Sequence, residues 1–248
     1  MVTGIWPMAA VTIALSAVVW GGLVYVLAGR APRCLWLILP GLPLSAIVNI
    51  AVKAPLAAAV ADAGGVDPLV AAAAPLWYLA FLLMLAPVTE EAIKAAPLVA
   101  PQLRRFAESR RGALSAGMAL GVGFGIGEAA YLAYAVSLSP VYADLPWYLF
   151  IGFLQERFVV TFIHGALTAI VVTGMLRGAA GLLAGYLAAV LLHALLNSGA
   201  LLYQIGRAPL WGAQVTIFAA LILLVAIILR LHRRAGEEEA SAAPDVGE

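Results

Sequence analysis

Glu90, Glu91, Glu128, His164, His193 and Asn197 are residues whose types could do chemistry together, and each falls inside a long apolar run of this chain. Lys94, Glu156 and Arg157 lie in the same runs. A charged group there costs at least about 2.5–3.5 kcal/mol on insertion scales, so each one needs a reason. Peptide hydrolysis needs this mixture. A carboxylate withdrawn from bulk water can act as the base that activates a water molecule. The oxyanion that follows needs donors, which imidazole and amide side chains supply. The same set could instead hold a zinc ion, whose usual ligands are imidazole and carboxylate, with Glu128, His164 and His193 as the set that residue type suggests. Zinc-assisted and metal-free, glutamate-activated routes both stay open on residue types alone.

Spacing sets these groups at one depth. Glu91 lies 13 residues before Arg104, and Glu128 lies 17 after Arg111. His164 lies 13 before Arg177, and His193 lies 16 after it. At about 1.5 Å per helical residue the depths are roughly 20–25 Å, near the middle of a bilayer about 40–45 Å thick. The faces agree. Arg157, Thr161, His164 and Thr168 form one helical stripe, and His193 and Asn197 are one turn apart, with Tyr186 two turns earlier. Adjacent Glu90 and Glu91 are expected to point apart, with Lys94 in reach of either. Gly117, Gly121 and Gly125 allow close helix approach beside Glu128. The alternating glycines from Gly121 to Gly127 read as packing, since no strand precedes them as a dinucleotide loop would require.

The elements that must carry these residues follow from composition. The chain has 248 residues, 64% hydrophobic and only 11% charged, against about 25% charged in soluble domains. It is expected to be an all-α, polytopic transmembrane bundle. Apolar runs place about seven spans at 5–28, 35–60, 69–100, 113–138, 147–176, 179–204 and 210–231. The first reads as a span, since it lacks a basic leader and is longer than a signal segment. Pro40, Pro43, Lys53 and Pro55 make the second span the one most prone to break, and a bend is expected near Pro87. Trp147, Tyr148 and Trp211 read as interfacial belt residues. Residues 1–234 read as one bundle domain with a catalytic core over about 85–204, and 235–248 as a disordered cytoplasmic tail.

Arg30, Arg33, Arg104, Arg105, Arg110, Arg111, Arg177, Arg230, Arg233 and Arg234 flank the spans on one side, and Arg207 is alone on the other. That bias predicts an outside N-terminus and a cytoplasmic C-terminus. A net charge of +1 gives no argument for nucleic acid, and the lone Cys34 excludes an internal disulfide. Basic residues that are nearly all arginine hint at a GC-rich prokaryotic genome, hence a prokaryotic cytoplasmic membrane.

Four short motifs then stand in order. They are Glu90-Glu91-Ala92-Ile93-Lys94, Gly123-Phe124-Gly125-Ile126-Gly127-Glu128, Arg157 with His164 and Thr168, and His193-Ala194-Leu195-Leu196-Asn197. In these the chain resembles the PrsW intramembrane proteases, within the superfamily of type II CAAX prenyl proteases and bacteriocin-processing enzymes. It departs in carrying Ala129 where PrsW proteins commonly have Asn, and the Glu156-Arg157 pair looks more like the YhfC branch. The resemblance implies an intramembrane endopeptidase acting on a membrane protein or membrane-anchored peptide. It implies that Glu90 or Glu91 activates water, that Glu128 and His164 complete the polar centre, and that His193 and Asn197 stabilise the oxyanion.

Each residue also has a structural reading. Glu90 and Glu91 could be neutralised by Lys94 and Arg157, and Glu128 could tie two helices. The histidines could be packed and bonded, and Asn197 could bond a neighbouring helix. Arg157 reads as an ion-pair partner, Glu156 as facing elsewhere, and Lys53 as snorkelling or lining an outer loop. Two other functions compete with hydrolysis. One is a non-catalytic scaffold resembling the scaffold subunit of γ-secretase; the other is a proton- or metal-coupled transporter, against which the lack of an internal repeat counts.

Overall fold

A backbone in hydrocarbon finds no water to bond, and a helix satisfies its N–H and C=O groups within the segment. The computed structural model describes residues 4–67 and 74–242. Among them, seven helical segments are long and apolar enough to cross a bilayer, and there is no strand. These are α1 (Ile5–Leu27), α2 (Pro32–Ala63), α3 (Leu76–Ala95), α4 (Arg110–Ser137), α5 (Ile151–Met175), α6 (Gly178–Gln204) and α7 (Leu210–Ala242). The all-α, seven-span bundle is the fold. Residues 69–73, assigned from sequence to the third span, lie outside the described residues.

Helix α2 is a chain of short pieces, and proline explains why. Pro43 has no N–H to give the Leu39 carbonyl, which accepts from the Leu42 N–H instead at 3.2 Å. A 3₁₀ turn (Pro32–Leu37) and short α pieces (Ile38–Gly41, Leu44–Val48) lead to a π turn over Asn49–Lys53, immediately before Ala54–Ala63 with Pro55 near its start. Single π turns inside α-helices are often found where a side chain must be re-aimed. Helix α3 stays helical through Pro87 and tightens to 3₁₀ over Ala96–Val99.

Helices α4 and α5 form the buried centre, and the other five spans surround them with largely exposed apolar faces. Ser109 caps α4, accepting from the Gly112 N–H at 3.0 Å. The glycines of α4 then serve two neighbours. A Cβ on Gly125 would lie 2.7 Å from Thr161 Cα of α5, and one on Gly121 would strike the His164 carbonyl. On the other face, Gly123 and Gly127 abut the Ile38 and Leu42 carbonyls of α2. Trp20 fastens α1 to α5 by donating from Nε1 to the Phe158 carbonyl at 2.8 Å and stacking on its ring.

The expectation of a disordered tail from 235 is corrected over its first eight residues. Helix α7 continues to Ala242, and its carboxylates are placed: Glu238 pairs with Arg110 and Glu239 with Arg111, each at 2.6 Å. Glu237 to Ala240 are good helix formers, and the glutamates meet the N-terminal end of α4, where its dipole favours negative charge. Residues 243–248 lie outside the described residues.

Candidate functional site

Five helices deliver the polar groups to one place. Their centre is a cavity of about 160 Å³, walled by Lys53 of α2, Glu90 of α3, Glu128 of α4, Arg157 and His164 of α5, and His193 and Asn197 of α6. The volume is room for several waters at about 30 Å³ each. Glu90, His164 and His193 are almost wholly buried.

Each carboxylate is held differently. Glu90 Oε1 accepts from Lys53 Nζ at 2.6 Å, while its Oε2 is buried with no hydrogen-bond partner. Glu91 does not line the cavity. Its Oε1 takes both Lys94 Nζ at 2.6 Å and His193 Nδ1 at 2.7 Å, with glutamate and lysine fully buried. Glu128 Oε2 accepts from Arg157 Nη1 at 2.8 Å and lies 3.1 Å from His164 Nε2. Arg157 also donates to Glu156 Oε1 at 2.5 Å.

The network assigns the histidine tautomers. Lys94 Nζ sits 3.0 Å from His164 Nδ1 and, having only donors, makes that nitrogen the acceptor. His164 Nε2 then carries the proton and donates to Glu128. His193 donates from Nδ1 to Glu91, which leaves the Nε2 lone pair facing Glu90 Oε2 at 3.9 Å. Phe124 supports both cationic and imidazole neighbours. Its ring meets His164 edge-on with centroids 4.9 Å apart, and Lys94 Nζ lies 5.0 Å from its centroid.

The sequence-derived set Glu90, Glu91, Glu128, His164, His193 and Asn197 is therefore brought together, with several corrections. Glu90 and Glu91 point apart as expected, Glu90 into the cavity on Lys53 and Glu91 to Lys94 outside it, yet the two carboxylates approach opposite nitrogens of one imidazole, His193. Lys53 does not snorkel; the π turn before Pro55 ends on it, and its ammonium reaches Glu90. Glu156 does not face away but pairs with Arg157 at the cavity rim. Thr161 and Thr168 spend their hydroxyls on the Arg157 and His164 carbonyls of their own helix. Tyr186 donates to the Val88 carbonyl at 2.9 Å, tying α6 to α3 outside the cavity. Asn197 bonds no neighbouring helix: its amide has no partner among the described residues and faces the cavity.

The metal set also changes. Ligand atoms of Glu90, His164 and His193 lie within 4.8 Å of one another, with Glu90 in the place expected of Glu128, whose charge Arg157 already engages. By donor type the trio fits zinc, and the unbonded Glu90 Oε2 and His193 Nε2 are free to ligate, with Glu91 orienting His193 from behind, whereas His164 would have to release Lys94 or Glu128 before it could serve as a ligand.

The most telling residue missed in the sequence is Lys53. Its signal is a lone lysine in an apolar span, two residues before Pro55.

Fold and site together define a class, a seven-helix membrane protein with a buried, ion-paired Glu/His cavity between its central helices. No family model, curated protein or solved structure matches the chain.

Proposed function

We propose that this protein is an intramembrane endopeptidase that hydrolyses a peptide bond of a membrane-embedded substrate. The observation that carries the reading is the pair of unbonded atoms across the cavity, Glu90 Oε2 and His193 Nε2, 3.9 Å apart. A water beside them meets a carboxylate base and an imidazole acceptor. In this reading the water loses a proton to Glu90 and its oxygen attacks the scissile carbonyl. The Asn197 amide donates to the oxyanion, and Glu90 returns the proton to the leaving amine. Glu91 is a positioning residue, holding His193 from outside the cavity. Lys53 and Arg157 keep Glu90 and Glu128 in place.

Charge supports the same reading. Glu90, Glu91, Glu128 and Glu156 face only three cations, Lys53, Lys94 and Arg157, since Arg157 serves two carboxylates. With neutral histidines one negative charge is left over, to be balanced by a proton or by a cation. A zinc ion on Glu90, His164 and His193 would more than offset it, leaving one positive charge, and would act as a Lewis acid on the carbonyl. Substrate access is provided for by a larger cleft of about 370 Å³ between α5, α6 and α7, which shares Glu156, Ala200 and Ile217 with the cavity.

The test uses folded Glu90→Gln, Glu91→Gln and Glu128→Gln variants and an identified substrate. Gln keeps the size of Glu and removes the base, so Glu90→Gln should abolish turnover, whereas Glu91→Gln should reduce it. Wild-type cleavage by all three would sink the reading and put a non-catalytic scaffold in first place.

A further inference from the structure

At the arginine-rich end of the bundle, far from the Glu/His cavity, a second cleft of about 270 Å³ opens between α5, α6 and α7. Gly181, Ala184, Gly185 and Ala188 lie on one face of α6, and their small side chains leave the space. Its far wall is apolar, from Ile170, Ile227 and Leu231. Three guanidinium groups stand at its mouth: Arg110, Arg177 and Arg234. Arg177 and Arg234 have no ion-pair or hydrogen-bond partner among the described residues, and Arg110 is held by Glu238.

Geometry orders the two chemistries along the helices. Leu231 is three residues from Arg234, while Ile170 and Ile227 are seven from Arg177 and Arg234, so the apolar wall runs from roughly 5 to 10 Å inward from the charges. Arg177 also opens α6, whose N-terminal end adds a positive partial charge at the same place. An acyl chain fits the inner part and a phosphate the mouth. Unpaired arginines beside an apolar cleft at a bilayer interface have one abundant complement, an anionic phospholipid.

We infer that this cleft is a binding site for an anionic phospholipid, with its phosphate on Arg177 and Arg234 and an acyl chain against the small face of α6. Glu238 competes for the third arginine, so the end of α7 sets how much positive charge the headgroup meets. The site is independent of the proposed hydrolysis and is tested without a substrate.

The full-length protein is purified in neutral detergent, and retained lipid is measured by native mass spectrometry. Phosphatidylglycerol and phosphatidylcholine are offered as a matched pair, and glycerol phosphate as a soluble source of the same phosphate group. Phosphatidylglycerol should be retained in preference, and an Arg177→Gln/Arg234→Gln variant should lose that preference by about tenfold to thirtyfold. Ala184→Trp fills the cleft beneath intact arginines and should also expel the lipid, while Glu238→Gln should tighten binding. Equal retention of the two lipids by the wild-type protein would overturn the inference. So would phosphatidylglycerol retention that ignores the arginine pair and Ala184→Trp alike. If glycerol phosphate binds as well as the lipid and Ala184→Trp changes nothing, the mouth takes free phosphate esters and the lipid assignment fails.

Discussion

Asn197 and Lys53 illustrate how much a single side chain's partner decides. The Asn197 amide lines the cavity with nothing bonded to it, so it is free to meet a substrate oxygen. An oxyanion donor contributes about 3–4 kcal/mol, so Asn197→Ala should slow cleavage roughly a hundredfold to a thousandfold with little change in thermal stability. Unchanged cleavage would remove it from the oxyanion role. Lys53 is one-fifth exposed and bonded to a carboxylate that is 2% exposed. Removing one partner of such a pair leaves a buried charge uncompensated, at up to about 3–5 kcal/mol. Lys53→Met should therefore lower the unfolding temperature in detergent, and Lys53→Met/Glu90→Gln should recover much of the loss. A snorkelling lysine would instead cost the same with or without Glu90, and the double-mutant cycle separates the two.

Helix α4 brings the elements to the distances that these contacts need. Gly121 and Gly125 let α5 approach until backbone meets backbone, which sets how far His164 projects toward Glu128. Gly123 and Gly127 admit the broken second span on the opposite face, and that span carries Lys53. A methyl group at Gly125 would meet Thr161 Cα, a backbone atom that cannot swing aside. Gly125→Ala should thus cost about 1–3 kcal/mol of stability. Gly22→Ala, on α1 with nothing within 4 Å of the added carbon, should be neutral or better. Equal melting of the two variants would refute close α4–α5 packing as the source of the site geometry.

Across the whole molecule, charge is sorted to one end. Arg110 and Arg111 meet Glu238 and Glu239, so the start of α4 and the end of α7 share a face of the bundle. Alternation of seven spans puts the α1–α2, α3–α4 and α5–α6 connections at that end too. By the positive-inside bias we propose this end as the cytoplasmic face. Single cysteines at Arg105 and Asp62, in a Cys34→Ser background, test it in intact cells with a membrane-impermeant thiol reagent. Asp62→Cys should label from outside and Arg105→Cys only after permeabilisation; the reverse pattern would invert the orientation.

Hydrophobic run length alone determined the helical class and the number of spans, because a bilayer accepts few other backbone arrangements. Depth was legible as well, since helical rise is constant and Glu91, Glu128, His164 and His193 could each be counted from a flanking arginine. Helical rotation placed the Arg157–His164 stripe and the His193–Asn197 turn on single faces. Pairing was not legible. Whether Lys53 reaches Glu90, whether Arg157 takes Glu128 rather than the Glu90–Glu91 pair, and which glutamate faces the cavity depend on how helices rotate against one another. Those rotations are set by glycine contacts between segments distant in sequence. The same holds for the end of α7: a run of glutamates reads as solvated until Arg110 and Arg111, more than a hundred residues earlier, are folded beside it. Local sequence carried periodicity and depth, and only tertiary packing chose the partners, because partner choice is a property of distances between helices.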